Sequence, residues 1–160
     1  MLLGELLHEK AIKLELEAED KWEAIEELID LLVEAKELPA SLRDHAVEVI
    51  TAREESMSTG MGHAVALPHG STDRFDSFVA ALGISHDGVE FESIDGAPAR
   101  IIILMIVPQK NFQGQVRTLA GIAHLLSNPS FRTALLTSKT VADVLKLIES
   151  EEAKGRTLKG

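Results

Sequence analysis

Apolar residues recur at helical spacing through EDKWEAIEELIDLLVEAKEL, residues 19–38, where Ile25, Leu28, Ile29, Leu32 and Ala35 share one face. The acidic start of this stretch suits the positive end of a helix dipole, so it predicts an amphipathic helix. Pro39 separates it from SLRDHAVEVITAREES, in which Ser41 is placed to cap a second helix with an apolar stripe of Leu42, Ala46 and Val49. The pattern then turns to short extended segments: HAVAL at 63–67, SFVAALGIS at 77–85 with alternating Phe78, Ala80 and Leu82, and a pair around DGVEFESIDGAP. The run IIILMIV, 101–107, is rich in β-branched residues and ends at Pro108; it reads as a central strand buried on both faces. NFQGQVRTLAGIAHLLSNPSF predicts a helix whose core face is Val116, Leu119, Ile122, Ala123 and Leu126. A short helix starts at Pro129, and Thr140 caps a last one, VADVLKLIES. Residues 1–150 read as a single domain and 151–160, nearly free of apolar residues, as a tail that frays.

Helices before, between and after short strands favour a mixed sheet covered by helices on both faces. The 160 residues, 45% hydrophobic, suffice for one domain with a substantial core. No window approaches the roughly 18 consecutive apolar residues of a membrane span, and MLLGELLHEK carries neither a basic leader nor a cleavage site. The expectation is a soluble, cytoplasmic protein without direct membrane insertion. A net charge of −10 argues against a nucleic-acid partner; it suits a basic protein partner, and equally it keeps a chain in solution. With no cysteine, thiolate zinc sites and thiol nucleophiles are excluded, and the chemistry must come from His, Arg, Glu, Ser or Thr.

One stretch concentrates that chemistry: TGMGHAVALPHG, 59–70. Gly60, Gly62 and Gly70 admit backbone conformations closed to other residues, or close approach of a ligand or a neighbouring element. The lysine of a phosphate-binding P-loop is missing. Pro68 cannot donate to a sheet ladder, so the strand is expected to stop there and to leave His69 exposed beside a flexible Gly70. In the preceding helix, about 100° per residue places Arg53 about 20° from Leu42, inside the apolar stripe. An arginine there needs an anion, unless it caps the end of its own helix and reaches out to water.

The run REESMSTGMGHAVALPHG resembles the signature of the fructose/mannitol-type enzyme IIA domains of the bacterial phosphotransferase system, including their nitrogen-regulatory branch. The matching elements are Arg53-Glu54, Ser58-Thr59-Gly60, Gly62, and Ala66-Leu67-Pro68-His69-Gly70. The similarity extends over roughly residues 5 to 150, through IDGAPARIIILMIVP and FRTALLTSKTVADVLKLI. It implies an α/β fold of α+β type, a three-layer α-β-α sandwich with a mixed five-stranded sheet flanked by helices. It also implies a phosphoryl carrier without cofactor, which accepts its group on His69 from a histidine-containing phosphocarrier protein. The carrier then passes the group to a transporter or signals with it to a regulatory protein target. Read as a domain by itself, the chain leans toward the nitrogen-regulatory branch.

The residues suit that chemistry. Neutral imidazole is nucleophilic at physiological pH, and phosphoryl transfer asks mainly for positioning and for donors around the equatorial oxygens. Arg53, the Ser58 and Thr59 hydroxyls and amides near Gly60 and Gly62 are candidate donors. Glu54 is placed either to orient Arg53 or a neighbouring backbone, or to sit solvated at the helix end.

The family pattern fails at one place. Many members open the helix after the central strand with a second histidine, in a pattern H-L-x-x-L-A-x-L-A-x-L-L; here the run is QVRTLAGIAHLL and the position is Gln115. Gln115 falls within about 30° of the core direction of that helix. It can donate a hydrogen bond to a phosphoryl oxygen but cannot take up a proton or carry a positive charge. His124 lies about 150° from that direction and reads as an exposed helix histidine. His63 is a candidate accessory residue replacing the lost imidazole, if the strand brings it near His69. His8, His45 and His86 belong to no constellation. His63, His69 and His86 would suit zinc by type, but no recurring ligand spacing accompanies them, and no metal is expected.

Overall fold

The computed structural model describes residues 2–159, with side chains described as far as Gly155. A short helix α1 (Leu3–Leu6) leads into strand β1 (Leu7–Lys13), then α2 (Lys21–Glu34), a 3-10 turn (Ala40–Leu42) and α3 (Arg43–Ser56). Three short strands follow, β2 (Gly60–Gly62), β3 (Val65–Ala66) and β4 (His69–Thr72), then the long pair β5 (Val79–Val89) and β6 (Ala99–Pro108). Helices α4 (Phe112–Leu125), α5 (Pro129–Thr137) and α6 (Val141–Lys159) complete the chain.

The strands form one mixed sheet in the order β1-β5-β6-β3-β2, with β4 pairing β6 beyond β3. β6 is central, as its apolar run predicts: every residue from Ile101 to Pro108 is buried. Alternation along β6 splits the core in two. Ile101, Ile103, Met105 and Val107 face α4, α5 and α6 together with Ile122, Leu125, Phe131 and Ile148. Ile102, Leu104 and Ile106 face α2 and α3 together with Ile25, Leu28, Ala46 and Ile50. The expected three-layer sandwich is therefore present.

Several local expectations are corrected. The sheet has six strands rather than five. β3 and β4 run along β6 in one unbroken parallel register, Val65 opposite Ile101, Ala66 opposite Ile102, His69 opposite Met105 and Thr72 opposite Pro108. Pro68 thus stands in the break between β3 and β4, as expected, but pairing with β6 resumes at His69 in the same register. The Pro68 carbonyl accepts from Met105 N at 3.0 Å while its ring nitrogen has no hydrogen to give, so one rung is missing and the extension is divided in two. β1 escaped the pattern because only Leu7, Ala11 and Ile12 of its residues are buried. Ser41 lies within the 3-10 turn and makes no cap. The buried row of α3 is Ala46, Ile50 and Glu54, not the line through Leu42 and Val49, so Arg53 flanks that row half-buried. Val116 is 49% exposed, because α4 turns Thr118, Ile122 and Leu125 inward instead.

At the C-terminus, α6 continues through the stretch expected to fray. The Glu152 carboxylate accepts from Leu3 N at 2.8 Å and Gly4 N at 3.0 Å, satisfying the free amides at the start of α1. Residue 160 lies outside the described residues.

Gly70 is the contact point of sheet and α3. A β-carbon there would lie 2.7 Å from Val49 Cγ1 and 3.1 Å from Ile50 Cγ1, so the glycine serves close packing rather than flexibility. Gly70→Ala is expected to push α3 off the sheet and lower stability by about 1–3 kcal/mol, the usual cost of overpacking. Urea unfolding checks this as a lower midpoint at unchanged slope.

Candidate functional site

The hairpin β2–β3 is closed by His63 and Ala64, with φ of +55° and +65°. Positive φ at both central residues is what a two-residue hairpin turn of right-handed twist requires. Neither residue is a glycine, and each left-handed residue costs on the order of 1 kcal/mol. Asp95 compensates by accepting from His63 N at 3.0 Å and Ala97 N at 3.1 Å, and these two amides hold its carboxyl below the usual carboxylate range. His63 is thus an exposed turn residue, not part of a strand. Extended chain from Val65 to His69 covers about 13 Å, so His63 and His69 stand at opposite ends of the segment.

His69 opens β4 on the sheet edge. Gly70 faces α3, so alternation turns His69 to the other face, the one lined by Val65, Leu67 and Met105. Its Nδ1 donates to Leu67 O at 2.8 Å, which places the proton of the neutral ring on Nδ1 and leaves the Nε2 lone pair free. Burial is the main force pushing this imidazole below its ordinary value; the Leu67 carbonyl opposes it, the Arg53 charge adds to it, and the Glu54 charge opposes it. The ring is therefore neutral at pH 7. The carbonyls of Ala64, Pro68 and Thr72 point toward β6, so by alternation the amides of His69 and Ser71 point to the open edge.

Glu54 is not solvated. Its carboxylate is buried, and it accepts from Lys21 Nζ at 3.2 Å, Thr59 N at 2.9 Å and Thr59 Oγ1 at 2.6 Å. Glu54 thereby binds the backbone after α3 rather than the side chain of Arg53. Lys21 is equally buried, with its ammonium 5.2 Å from the Trp22 ring and 5.8 Å from the Phe91 ring. Lys21 lies outside every motif in the sequence. Its signal is a cation in the first turn of a helix, where the dipole disfavours it, directly after the Asp20 cap.

Arg53 donates from Nη1 to Met57 O at 3.0 Å, capping the end of its own helix. Among the described residues it has no carboxylate partner, although its charge reaches His69. The candidate phosphate donors divide differently. The Ser58 hydroxyl donates to Phe91 O and accepts from Gly60 N, and the Thr59 hydroxyl donates to Glu54, so both hydroxyl hydrogens are engaged within the fold. Gly60 and Gly62 are glycines for space and conformation: a β-carbon on Gly60 would lie 2.5 Å from Ser93 Oγ, and Gly62 has φ +85°. Gln115 is half-buried in the first turn of α4, on the helix layer that His69 faces; its backbone N donates to Asn111 O at 3.0 Å, while its side-chain amide makes no hydrogen bond among the described residues. His124 is exposed, His86 is exposed, His8 meets Glu37 at 3.3 Å, and His45 meets Thr72 Oγ1 at 2.7 Å. Among the described residues no three His, Asp or Glu side chains converge as a metal site requires.

The chain is similar to known proteins over most of its length. The chain is 31% identical over 137 residues to a fructose-specific phosphotransferase EIIA component of Haloferax volcanii, covering 84% of this chain and 88% of that one. It is 30% identical over 152 residues to the fructose-specific EIIABC component of Bacillus subtilis, covering 95% of this chain but only 24% of that longer protein. Its fold matches the crystal structure of nitrogen regulatory protein IIA-Ntr from Neisseria meningitidis with a TM-score of 0.83 at 29% identity, over 91% of this chain and 98% of that one. Among the described residues no helix is long and apolar enough to cross a membrane. Residues 5–151 match the family model of the phosphoenolpyruvate-dependent sugar phosphotransferase system, EIIA 2, and the chain belongs to that family of phosphotransfer components.

Proposed function

We propose that this protein carries a phosphoryl group on Nε2 of His69. The group arrives from the phosphohistidine of a histidine-containing phosphocarrier protein. The supporting observation is the bond from Nδ1 to Leu67 O, which presents Nε2 as the lone-pair nitrogen of a neutral ring. In the transfer, that lone pair attacks phosphorus in line with the donor's P–N bond. The new P–N bond forms as the old one breaks, and the departing electron pair stays on the donor imidazole. The phosphorylated ring keeps its Nδ1 proton, and Leu67 O steadies the positive charge it shares. Arg53, lacking a carboxylate of its own, and the edge amides of His69 and Ser71 supply the charge and donors that the phosphoryl oxygens need.

The group then moves to a downstream phosphotransferase component of a transporter, or its presence is read by a regulatory partner; relatives carrying fructose-specific and nitrogen-regulatory names span both outcomes. Exposed Met57, Met61, Phe112 and Val116 lie on the elements that bear the site and offer apolar surface for such protein partners. One observation favours a second reading, a regulatory module of the same fold with slow transfer: Gln115 offers amide donors where a second histidine would offer charge.

Incubation with phosphoenolpyruvate, the general phosphotransferase enzyme and the phosphocarrier is expected to add one phosphate per chain, read as intact mass. His69→Ala is expected to take none, and equal labelling of that variant refutes the assignment. Because burial lowers the His69 pKa, the ring reaches half-protonation only below the ordinary imidazole value of about 6.5. Once the donor's own titration is subtracted, the labelling rate is therefore expected to fall on acidification with a midpoint below that of a free imidazole. Gln115→His separates the two readings. Comparable rates identify an efficient carrier, whereas a gain of about tenfold or more, equivalent to about 1.4 kcal/mol of transition-state stabilisation, identifies the slow module.

A further inference from the structure

Lys21 stands far from the signature stretch in sequence, yet it is one of two cations close to a single buried carboxylate. Its side chain is 5% exposed and that of Glu54 is 1% exposed, with Nζ 3.2 Å from Oε1. Glu92, itself 73% exposed, adds a second carboxylate at 3.6 Å. The other cation, Arg53, is the immediate neighbour of Glu54 in the chain, and its guanidinium rests on a neutral carbonyl. Adjacent residues on a helix point about 100° apart, but an arginine is long enough to turn back. The same helix shows this at its other end, where Arg43 Nη1 reaches Asp44 Oδ1 at 3.1 Å. The Glu54 charge is already balanced by the Lys21 ammonium, and three of its acceptor positions are taken, two on Oε1 by Lys21 and the Thr59 amide and one on Oε2 by the Thr59 hydroxyl.

We infer that Lys21 is a positioning residue for phosphoryl transfer: by holding Glu54 it leaves the Arg53 guanidinium free for the incoming phosphoryl group. This rests on the reading of His69 as acceptor. Remove the ammonium and the buried Glu54 carboxylate loses its countercharge, which is costly until another cation replaces it. Arg53, next to Glu54 in the chain and without a carboxylate of its own among the described residues, is the cation available to replace it. Once it pairs with Glu54, the phosphoryl oxygens lose their countercharge. Lys21 touches neither His69 nor the transferred group; its effect passes through Glu54 to Arg53.

The test compares wild type, Lys21→Met, Lys21→Arg, Glu54→Gln and the double variant Lys21→Met/Glu54→Gln. Phosphocarrier-dependent labelling is measured at saturating donor, and the side-chain Nε–Hε resonance of Arg53, assigned with Arg53→Lys, is followed by NMR. Lys21→Met is expected to label at least tenfold more slowly and to shift the Arg53 resonance to that of a carboxylate-paired guanidinium. Lys21→Arg retains the cation and is expected to recover most of the rate. In the double variant no carboxylate remains to capture Arg53. It is expected to label at the rate of Glu54→Gln alone, with the Arg53 resonance as in Glu54→Gln. It also removes both buried charges together, so it remains informative if Lys21→Met fails to fold. A folded Lys21→Met labelling at the wild-type rate, an unmoved Arg53 resonance, or a double variant several-fold slower than Glu54→Gln each overturns the inference. If wild type itself takes no label, the acceptor reading fails instead, and the Arg53 resonance still reports on the Lys21 relation alone.

Discussion

The arrangement around His69 depends on one buried carboxylate. Glu54 ends the inward row of α3, and its two oxygens gather the ammonium at the start of α2 and both donors of Thr59. An unpaired carboxylate in that position would be expensive by several kcal/mol, so its partners are held where they are. Through Thr59 the carboxylate fixes where the chain leaves α3 and enters the β2–β3 hairpin. Through Lys21 it ties α3 to α2. The residues that approach the imidazole electrostatically, Arg53 and Glu54, are thereby placed by the same contact.

The sheet edge supplies the other half. β3 and β4 are one extension interrupted by Pro68, and Thr59 O takes the Leu67 amide on the outer side. The Leu67 carbonyl, pointing outward as well, is left for the His69 ring. The Pro68 carbonyl faces β6, and so does its ring nitrogen; the lost rung is therefore on the inner side, directly before the histidine that the edge presents. Gly70 then brings α3 within van der Waals contact of the backbone. The dipeptide His69-Gly70 thus points in two directions, chemistry to one face and packing to the other.

Much of the fold could be read from period alone. The buried faces of α2 and β6 follow directly from their apolar spacing, because both bury wide, regular surfaces. β1 could not be read, since its exposed middle residues, His8, Glu9 and Lys10, hide its alternation. The turn at His63-Ala64 was also invisible: neither residue favours left-handed backbone, and the Asp95 carboxylate that holds it is distant in sequence. The hydroxyls of Ser58 and Thr59 looked like ligand donors by type. Their hydrogens are given to Phe91 O and Glu54, partners that only the folded chain brings near.

By itself, the sequence determined the family, the α-β-α layering and the candidate nucleophile, because a short motif and the period of apolar residues are local properties of the chain. Tertiary structure decided which nitrogen of His69 is free, that Arg53 lacks a carboxylate among the described residues, and that Lys21 and Glu54 are partners. Those outcomes depend on distances between segments far apart in sequence and on the exclusion of water from Glu54, neither of which any local pattern encodes.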